Sequence, residues 1–322
     1  MTRVSRPLVV LVVAAGFVAL GMRAAGPTVV TAQNEPQAPI QPPTFRTGVD
    51  VVSINVTVSD RDGRFVTDLS PEEFLVYEDG VQQDITFFSR SQLPIALAML
   101  MDTSASMDER MTTAQEAAIG FAQRLRPQDI AEIIDFDNRV NILQTFTNDV
   151  DALETAIRQT SAGGSTQLYN ALYISLRELK KAPLRAEDLR REAIVVLSDG
   201  EDTSSLVSFE EVLDLAKRSE TGIYTIGLKP SEDGRAGGFN ESDYVLRTLA
   251  HETGGRSFSP DSVEDLPEIY EEISDELSSQ YSLGYISGNP MRNGRWRRVV
   301  IRVARDDLFT RTKQGYFAAT GN

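Results

Sequence analysis

The 322-residue chain has no cysteine, one histidine and one tryptophan. Without cysteine it can form neither a disulfide nor a thiolate metal site. With His251 alone it lacks the paired histidines of zinc proteases, and the sequence holds no Gly-x-Ser-x-Gly elbow of the kind that serine hydrolases use. These absences exclude several common enzyme classes, and we expect His251 to be a surface residue.

Basic residues are outnumbered by acidic ones, 32 to 47, so nucleic acid is an unfavourable partner. Residues 1–32 have the order of a secretory signal peptide, with Arg3 and Arg6 before an apolar run at 8–20 and a small-residue site ending at Ala32. The run is shorter than the roughly 20 residues that span a bilayer. We therefore expect cleavage and an exported protein, periplasmic or extracellular, with no membrane span after cleavage. An uncleaved anchor is the alternative.

Four segments follow the predicted signal peptide. Residues 33–48 are rich in proline and glutamine and predict a linker. Residues 49–90 alternate apolar and polar side chains, which predicts a β segment, with two strands joined by a turn at Asp79-Gly80. Residues 281–322 predict further strands, and we expect them to pair with 49–90 in a β-sandwich into which 94–280 is inserted. Two separate β appendages are the alternative.

The C-terminal strands are basic, although the chain as a whole is acidic. Residues 281–322 hold eight Lys or Arg and two Asp. Because Arg295 and Arg297 alternate with apolar neighbours, we interpret these arginines as a solvated strand face, with a polyanion site as the alternative.

Residues 94–280 alternate short apolar runs with amphipathic helical stretches. This order predicts an α/β fold, a doubly wound, mostly parallel sheet with helices on both faces. The run RVNILQTF follows its predecessor too closely for a crossover helix, so it predicts an antiparallel edge strand. In such sheets ligands bind beyond the carboxyl ends of the strands.

Oxygen-bearing side chains gather in three loops expected at that edge. DTSAS supplies Asp102, Ser104 and Ser106 after an apolar strand, GGST supplies Thr166, and LSDGED supplies Asp199. Carboxylate and hydroxyl oxygens suit Mg²⁺, Mn²⁺ or Ca²⁺. One such loop alone is weak evidence, since Ser106 could simply cap a helix. Three converging loops predict a site for a hard divalent cation.

These loops resemble the metal-ion-dependent adhesion site of the von Willebrand factor type A family, over about residues 94–280. The surrounding arrangement, with the YSLGY tail, is similar to the von Willebrand factor A-related proteins of Acidobacteria. The resemblance implies that Asp102, Ser104, Ser106, Thr166 and Asp199 bind a divalent cation, Mg²⁺ first and Mn²⁺ or Ca²⁺ as alternatives. It implies a non-enzymatic adhesion module in which a Glu or Asp of a partner protein completes the coordination, with specificity set by residues 202–208 and 231–243.

Two other functions stay open at this point. A metal-dependent hydrolase acting on a phosphate or an envelope polymer would need a general base near the ion, for which Asp135 and Asp137 are candidates. A structural scaffold would use the ion only to brace the loops. Glu201 and Asp202, next to Asp199, are candidates for contacting the residues that hold the ion, although solvated loop acids are commoner.

Overall fold

A computed structural model describes residues 51–90, 93–182, 190–198, 202–228 and 241–321. Contacts divide the chain into Met1–Thr47 and Gly48–Asn322, and every described residue belongs to the second unit. The predicted signal peptide and linker lie outside the described residues, as do Asp199 and Glu201.

Strands and helices alternate through the middle of the chain. The strands are β1 (Val51–Ser59), β2 (Phe74–Glu78), β3 (Val81–Gln83), β4 (Ile85–Ser89), β5 (Ile95–Asp102), β6 (Ile130–Phe136), β7 (Val140–Thr147), β8 (Arg191–Ser198), β9 (Gly222–Gly227), β10 (Ser257–Phe258), β11 (Tyr281–Ile286), β12 (Trp296–Val303), β13 (Phe309–Arg311) and β14 (Gly315–Phe317). The helices are α1 (Met111–Ala122), α2 (Val150–Arg158), α3 (Leu168–Leu179), α4 (Phe209–Arg218), α5 (Glu241–Thr253) and α6 (Leu266–Ser279).

A six-stranded sheet in the order β10-β9-β8-β5-β6-β7 forms the centre of the fold. Its neighbours pair in parallel except for β6 and β7, so the antiparallel edge strand predicted for RVNILQTF is confirmed. Strand β5 is buried along its whole length because α1, α2 and α6 cover one face of the sheet and α3, α4 and α5 cover the other. The predicted doubly wound α/β class is confirmed.

Two four-stranded sheets combine strands from both sides of this central domain. Their orders are β13-β1-β11-β4 and β14-β12-β2-β3. Strand β1 pairs antiparallel with β11 and β2 pairs antiparallel with β12. Alternate side chains of these strands point into one shared hydrophobic cluster, which includes Ile54, Val76, Tyr285 and Ile301. Burial of this alternating face joins residues more than 200 positions apart.

The β2–β3 connection shows why a local turn signal works. Asp79 and Gly80 both adopt positive φ, +48° and +85°, as a type I′ turn requires. The Asp79 carboxylate also accepts a hydrogen bond from the backbone N–H of Arg298 at 2.9 Å. The turn predicted at Asp79-Gly80 is confirmed, although the segment after it divides into β3 and β4.

Arg297 corrects the interpretation of the basic C-terminal strands. Its side chain is buried, and its Nη1 lies 3.0 Å from Oε1 of the buried Glu78. Burial raises the pKa of Glu78, but its hydrogen bonds and the charge of Arg297 outweigh that effect and hold the pKa below its usual value. The hydrogen bonds come from Ser287, Tyr316 and Tyr285. Arg297 is therefore an internal counter-charge and not part of a solvated face.

A second polar cluster connects the four-stranded sheets to the central domain. The fully buried Glu276 of α6 forms an ion pair with Arg311 of β13. Its Oε1 accepts hydrogen bonds from Thr57 of β1 at 3.1 Å and from the Tyr224 hydroxyl of β9 at 2.9 Å. One carboxylate thus bonds three different strands. Among the described residues, none of the helices combines the length and hydrophobicity needed to cross a membrane.

Candidate metal site at the carboxyl end of the sheet

Asp102 is the last residue of β5, and its side chain is only 1% exposed. Its Oδ1 accepts a hydrogen bond from the backbone N–H of Ser104 at 2.9 Å, and its Oδ2 accepts one from the hydroxyl of Ser198 at 2.6 Å. Ser198 ends the neighbouring strand β8. Because both of these donors are neutral, they orient the carboxylate without neutralising it.

Ser104 and Ser106 lie at the start of a short 3-10 helix, Ala105–Arg110. Ser104 is the residue before that helix and is buried, whereas Ser106 is exposed. Their hydroxyl oxygens lie 3.0 Å apart, close enough to contact one common ligand. The helix start thus places two hydroxyls side by side next to the Asp102 carboxylate.

The GGST loop is joined to this turn by backbone hydrogen bonds. Gly163 N–H donates to the Thr103 carbonyl at 2.7 Å, and Ala105 N–H donates to the Gly164 carbonyl at 3.1 Å. These bonds bring the buried Thr166 to the same end of the sheet as Asp102. The predicted convergence of the first two loops is therefore present in the backbone.

Gly164 has φ +81°, and a Cβ at this position would lie 2.7 Å from Nδ2 of Asn138. Asn138 Oδ1 accepts hydrogen bonds at 2.8 Å from both the backbone N–H and the hydroxyl of Ser165. The glycine lets the loop approach the asparagine closely, and the asparagine then fixes the residue before Thr166. Sequence reasoning missed Asn138, because its partner is a loop 27 residues away.

Of the third loop the structure describes residues 202–208, and Asp199 lies outside the described part of the chain. Thr166 N–H donates to the Thr203 hydroxyl at 2.9 Å, and the N–H groups of Thr203 and Ser204 donate back to the Thr166 carbonyl at 3.0 and 3.2 Å. Asp202 accepts hydrogen bonds from the backbone N–H groups of Tyr169 and Ser205. Asp202 therefore caps the start of α3.

The two acids considered for a hydrolase lie apart from this arrangement. Asp135 lies on the same face of the sheet as Ile133, which packs against α1 and α2. Asp102 lies on the other face, with the residues of β5 that pack against α3. Burial raises the pKa of Asp135, which accepts a hydrogen bond from Asn141 at 2.9 Å. Asp137 accepts one from the backbone of Arg139. Neither contact directs a base toward Asp102.

The oxygen atoms at this edge fit a hard divalent cation by their chemistry. The described donors are the Asp102 carboxylate and the hydroxyls of Ser104, Ser106 and Thr166, with no sulfur or imidazole. No group of three His, Cys, Asp or Glu side chains within the described ranges is placed to hold a metal. A bound ion would therefore depend on these hydroxyls and on Asp199. His251 is exposed, as predicted.

Comparison with known proteins shows what the central region is similar to. Residues 97–201 match the model of the von Willebrand factor type A domain. The inter-alpha-trypsin inhibitor heavy chain H1 of Sus scrofa is 24% identical over 204 residues, covering 59% of this chain and 22% of that protein. An uncharacterised protein of Synechocystis is 34% identical over 115 residues, covering 34% of this chain and 26% of that one. The chain thus spans about a quarter of the length of these two relatives.

A solved structure shows the same fold over most of the chain. The von Willebrand factor type A structure from Catenulispora acidiphila superposes with a TM-score of 0.50 at 11% sequence identity. The match covers 86% of this chain and 76% of that one. At this identity the similarity concerns the fold.

Proposed function

The chain contains a von Willebrand factor type A domain, and from this premise we propose that it is an exported, metal-ion-dependent protein-binding module of the adhesion type. Asp102, Ser104, Ser106 and Thr166, together with Asp199, would hold one divalent cation, Mg²⁺ first and Mn²⁺ or Ca²⁺ as alternatives. The observation that carries the proposal is the buried Asp102 carboxylate beside the paired hydroxyls of Ser104 and Ser106.

The burial of Asp102 favours the binding of a cation at this position. A carboxylate removed from water is costly unless an opposite charge or strong hydrogen bonds compensate it. The Ser104 and Ser198 contacts supply hydrogen bonds from neutral groups. A divalent cation would add a positive charge beside this carboxylate, and the hydroxyls of Ser104 and Ser106 would bind the ion without cancelling its charge.

The kind of partner follows from the number of ligands that the chain would supply. Two carboxylates and three hydroxyls leave a site for a six-coordinate ion such as Mg²⁺ incomplete by one ligand. A bound ion would offer that open position to an oxygen ligand, and a Glu or Asp side chain of a partner protein is the natural donor. Ser106 is exposed, so the site opens to the surface on its side.

Neither Asp135 nor Asp202 is placed as the base that the hydrolase alternative needs. Asp135 points to the opposite face of the sheet, and Asp202 is used as a helix cap. The bracing alternative predicts an ion that stabilises the fold and binds no partner. Both alternatives are outcomes of the test below.

The test is calorimetric titration of Mg²⁺, Mn²⁺ and Ca²⁺ into the metal-stripped full chain. Asp102→Asn keeps the shape of the side chain and removes its charge, and Asp135→Asn is the matched control at the end of the neighbouring strand. We expect saturable binding by the wild type, a loss of at least about tenfold in affinity, or about 1.4 kcal/mol, in Asp102→Asn, and no change in Asp135→Asn. Absence of wild-type binding, or equal loss in both variants, would contradict the site.

Capture of partner proteins with Mg²⁺ or with a chelator then separates the functions. Chelator-sensitive capture that Asp102→Asn abolishes supports the adhesion module. Ion binding that raises stability without any capture supports the bracing scaffold. Turnover of a phosphate ester that requires Asp135 would support the hydrolase.

A further inference from the structure

Leu206 is the most exposed of the large apolar side chains described, at 93%. Its loop is nevertheless held firmly. The N–H groups of Leu206 and Val207 donate to Asn170 Oδ1 at 3.2 and 3.3 Å, and the Ser205 hydroxyl accepts from the N–H of Asn170 at 2.9 Å. The first turn of α3 therefore fixes the backbone in a conformation that presents the leucine to solvent.

Aromatic side chains lie at the starts of three helices, and one of these helices begins three residues after Leu206. Phe209, three residues after Leu206, begins α4. Its ring centroid lies 6.0 Å from that of Tyr169 on α3 and 6.4 Å from that of Tyr244 on α5. Tyr244 is 51% exposed. This row belongs to the same end of the fold as the candidate metal site, because Tyr169 follows Thr166 by three residues.

Carboxylates surround the row. Glu210 follows Phe209 in the first turn of α4, and Glu241 begins α5 three residues before Tyr244. Burial raises the pKa of Tyr169, and the negative charges of Asp202, Glu241 and Glu210 raise it further. Glu210 and Glu241 are exposed. A ligand that covers the aromatic row would meet these charges, and an anionic ligand would be repelled by them.

We propose that Leu206, Phe209 and Tyr244 form a docking surface for a partner segment that carries an arginine or lysine next to an apolar side chain. The apolar side chain would be buried against Leu206, while the cation would contact the exposed ring of Tyr244 and the carboxylates of Glu210 and Glu241. This inference deepens the proposed function, on which it rests for the existence of a protein partner. It adds a recognition surface that does not use the ion.

The test uses three labelled synthetic peptides of equal length, alternating Arg with Leu, Glu with Leu, and Arg with Ser. Fluorescence anisotropy is measured with the full chain at an ionic strength of about 0.15 M, where charge interactions beyond about 8 Å are screened. We expect the Arg/Leu peptide to bind best, and Leu206→Ser with Tyr244→Ser to weaken that binding at least about tenfold. Equal binding by wild type and double variant would overturn the proposal.

Matched controls separate this surface from general attraction to an acidic protein. Phe309→Ser removes another exposed apolar side chain, on β13, and Asp62→Asn removes another exposed acid. Both should bind the Arg/Leu peptide as the wild type does. With a chelator present, preference for the Glu/Leu peptide, or equal weakening by Phe309→Ser, would count against the surface.

A chelator distinguishes failure of this inference from failure of the proposed function. The Arg/Leu peptide should bind equally with Mg²⁺ and with chelator, since the surface does not use the ion. Metal binding by the wild type together with unchanged peptide binding by the double variant would refute the surface alone. Peptide binding that depends on Leu206 and Tyr244 without any metal binding would refute the ion site alone.

Discussion

Replacement of Gly164 by alanine is expected to destabilise the protein by about 2–5 kcal/mol. Gly164 has φ +81°, and its added Cβ would lie 2.7 Å from Asn138 Nδ2 and 2.8 Å from Asn138 Cγ. The asparagine cannot stay in place, because no real Cβ atom approaches another heavy atom so closely. Its two hydrogen bonds to Ser165, both 2.8 Å, would be lost as it moves.

The magnitude has two parts. A side chain in the left-handed region costs about 1–2 kcal/mol relative to glycine. Each lost hydrogen bond to Ser165 costs about 0.5–1.5 kcal/mol. Because Ser165 precedes Thr166, the displaced loop should also weaken Mg²⁺ binding at the proposed site.

Substitutions at two other glycines separate the cost of the positive φ from the cost of the contact with Asn138. Gly63 has φ +80° but nothing within 4 Å of its added Cβ, so Gly63→Ala should show the conformational cost alone. Gly163, next to Gly164, has neither the positive φ nor a close neighbour, so Gly163→Ala should be near neutral. Urea denaturation gives the free energy of unfolding of each variant. A Gly164→Ala loss within about 0.5 kcal/mol of the Gly63→Ala loss would refute the contact with Asn138, since a single hydrogen bond is worth at least that much.

Three buried charges provide further predictions. Burial raises the pKa of Glu132 from 4.5 to about 8, and its Oε1 has no hydrogen-bond partner among the described residues. The folded protein therefore binds this proton more tightly than the unfolded chain. The contribution of Glu132 to the free energy of unfolding is fully present below about pH 4.5. It decreases as the pH rises to about 8, by at most about 5 kcal/mol. In Glu132→Gln that decline should disappear from urea denaturation curves at pH 5 and pH 8, and a parallel decline in both proteins would contradict it. Arg297→Met should cost about 3–5 kcal/mol because it leaves the Glu78 carboxylate buried without its counter-charge. Adding Glu78→Gln should recover most of that loss, and further loss would show that the charges matter less than the packing. Arg311→Met should likewise cost about 3–5 kcal/mol, because it leaves the fully buried Glu276 carboxylate without its counter-charge. A loss below about 1 kcal/mol in denaturation measurements would contradict a structural role for this ion pair.

Much of the central domain could be predicted from local sequence patterns. Apolar runs of strand length alternate with helical periodicity, and the edge position of RVNILQTF followed from the short connection before it. The Asp79-Gly80 turn was predictable because few residues other than Gly, Asn and Asp adopt positive φ.

For the site, the sequence placed Asp102, Ser104, Ser106 and Thr166 at strand or helix ends, and the folded chain brings the loops that carry them together through backbone bonds. Asp199 as a ligand stays a prediction, since it lies outside the described residues. The hydrogen bond between Asn138 and the loop that follows Gly164 could not be predicted, because a contact with a distant loop produces no periodic pattern in the sequence.

The sequence by itself determined where strands and helices alternate and which loops carry oxygen-bearing side chains, since periodicity and turn chemistry act within a few positions of the chain. Only the tertiary structure decided that Arg297 is buried against Glu78, that Asp202 caps α3, and that Asp135 faces away from Asp102. The physical reason is that a local pattern defines the face on which a side chain lies, while its charge partner and its burial depend on which distant strand or helix packs against that face.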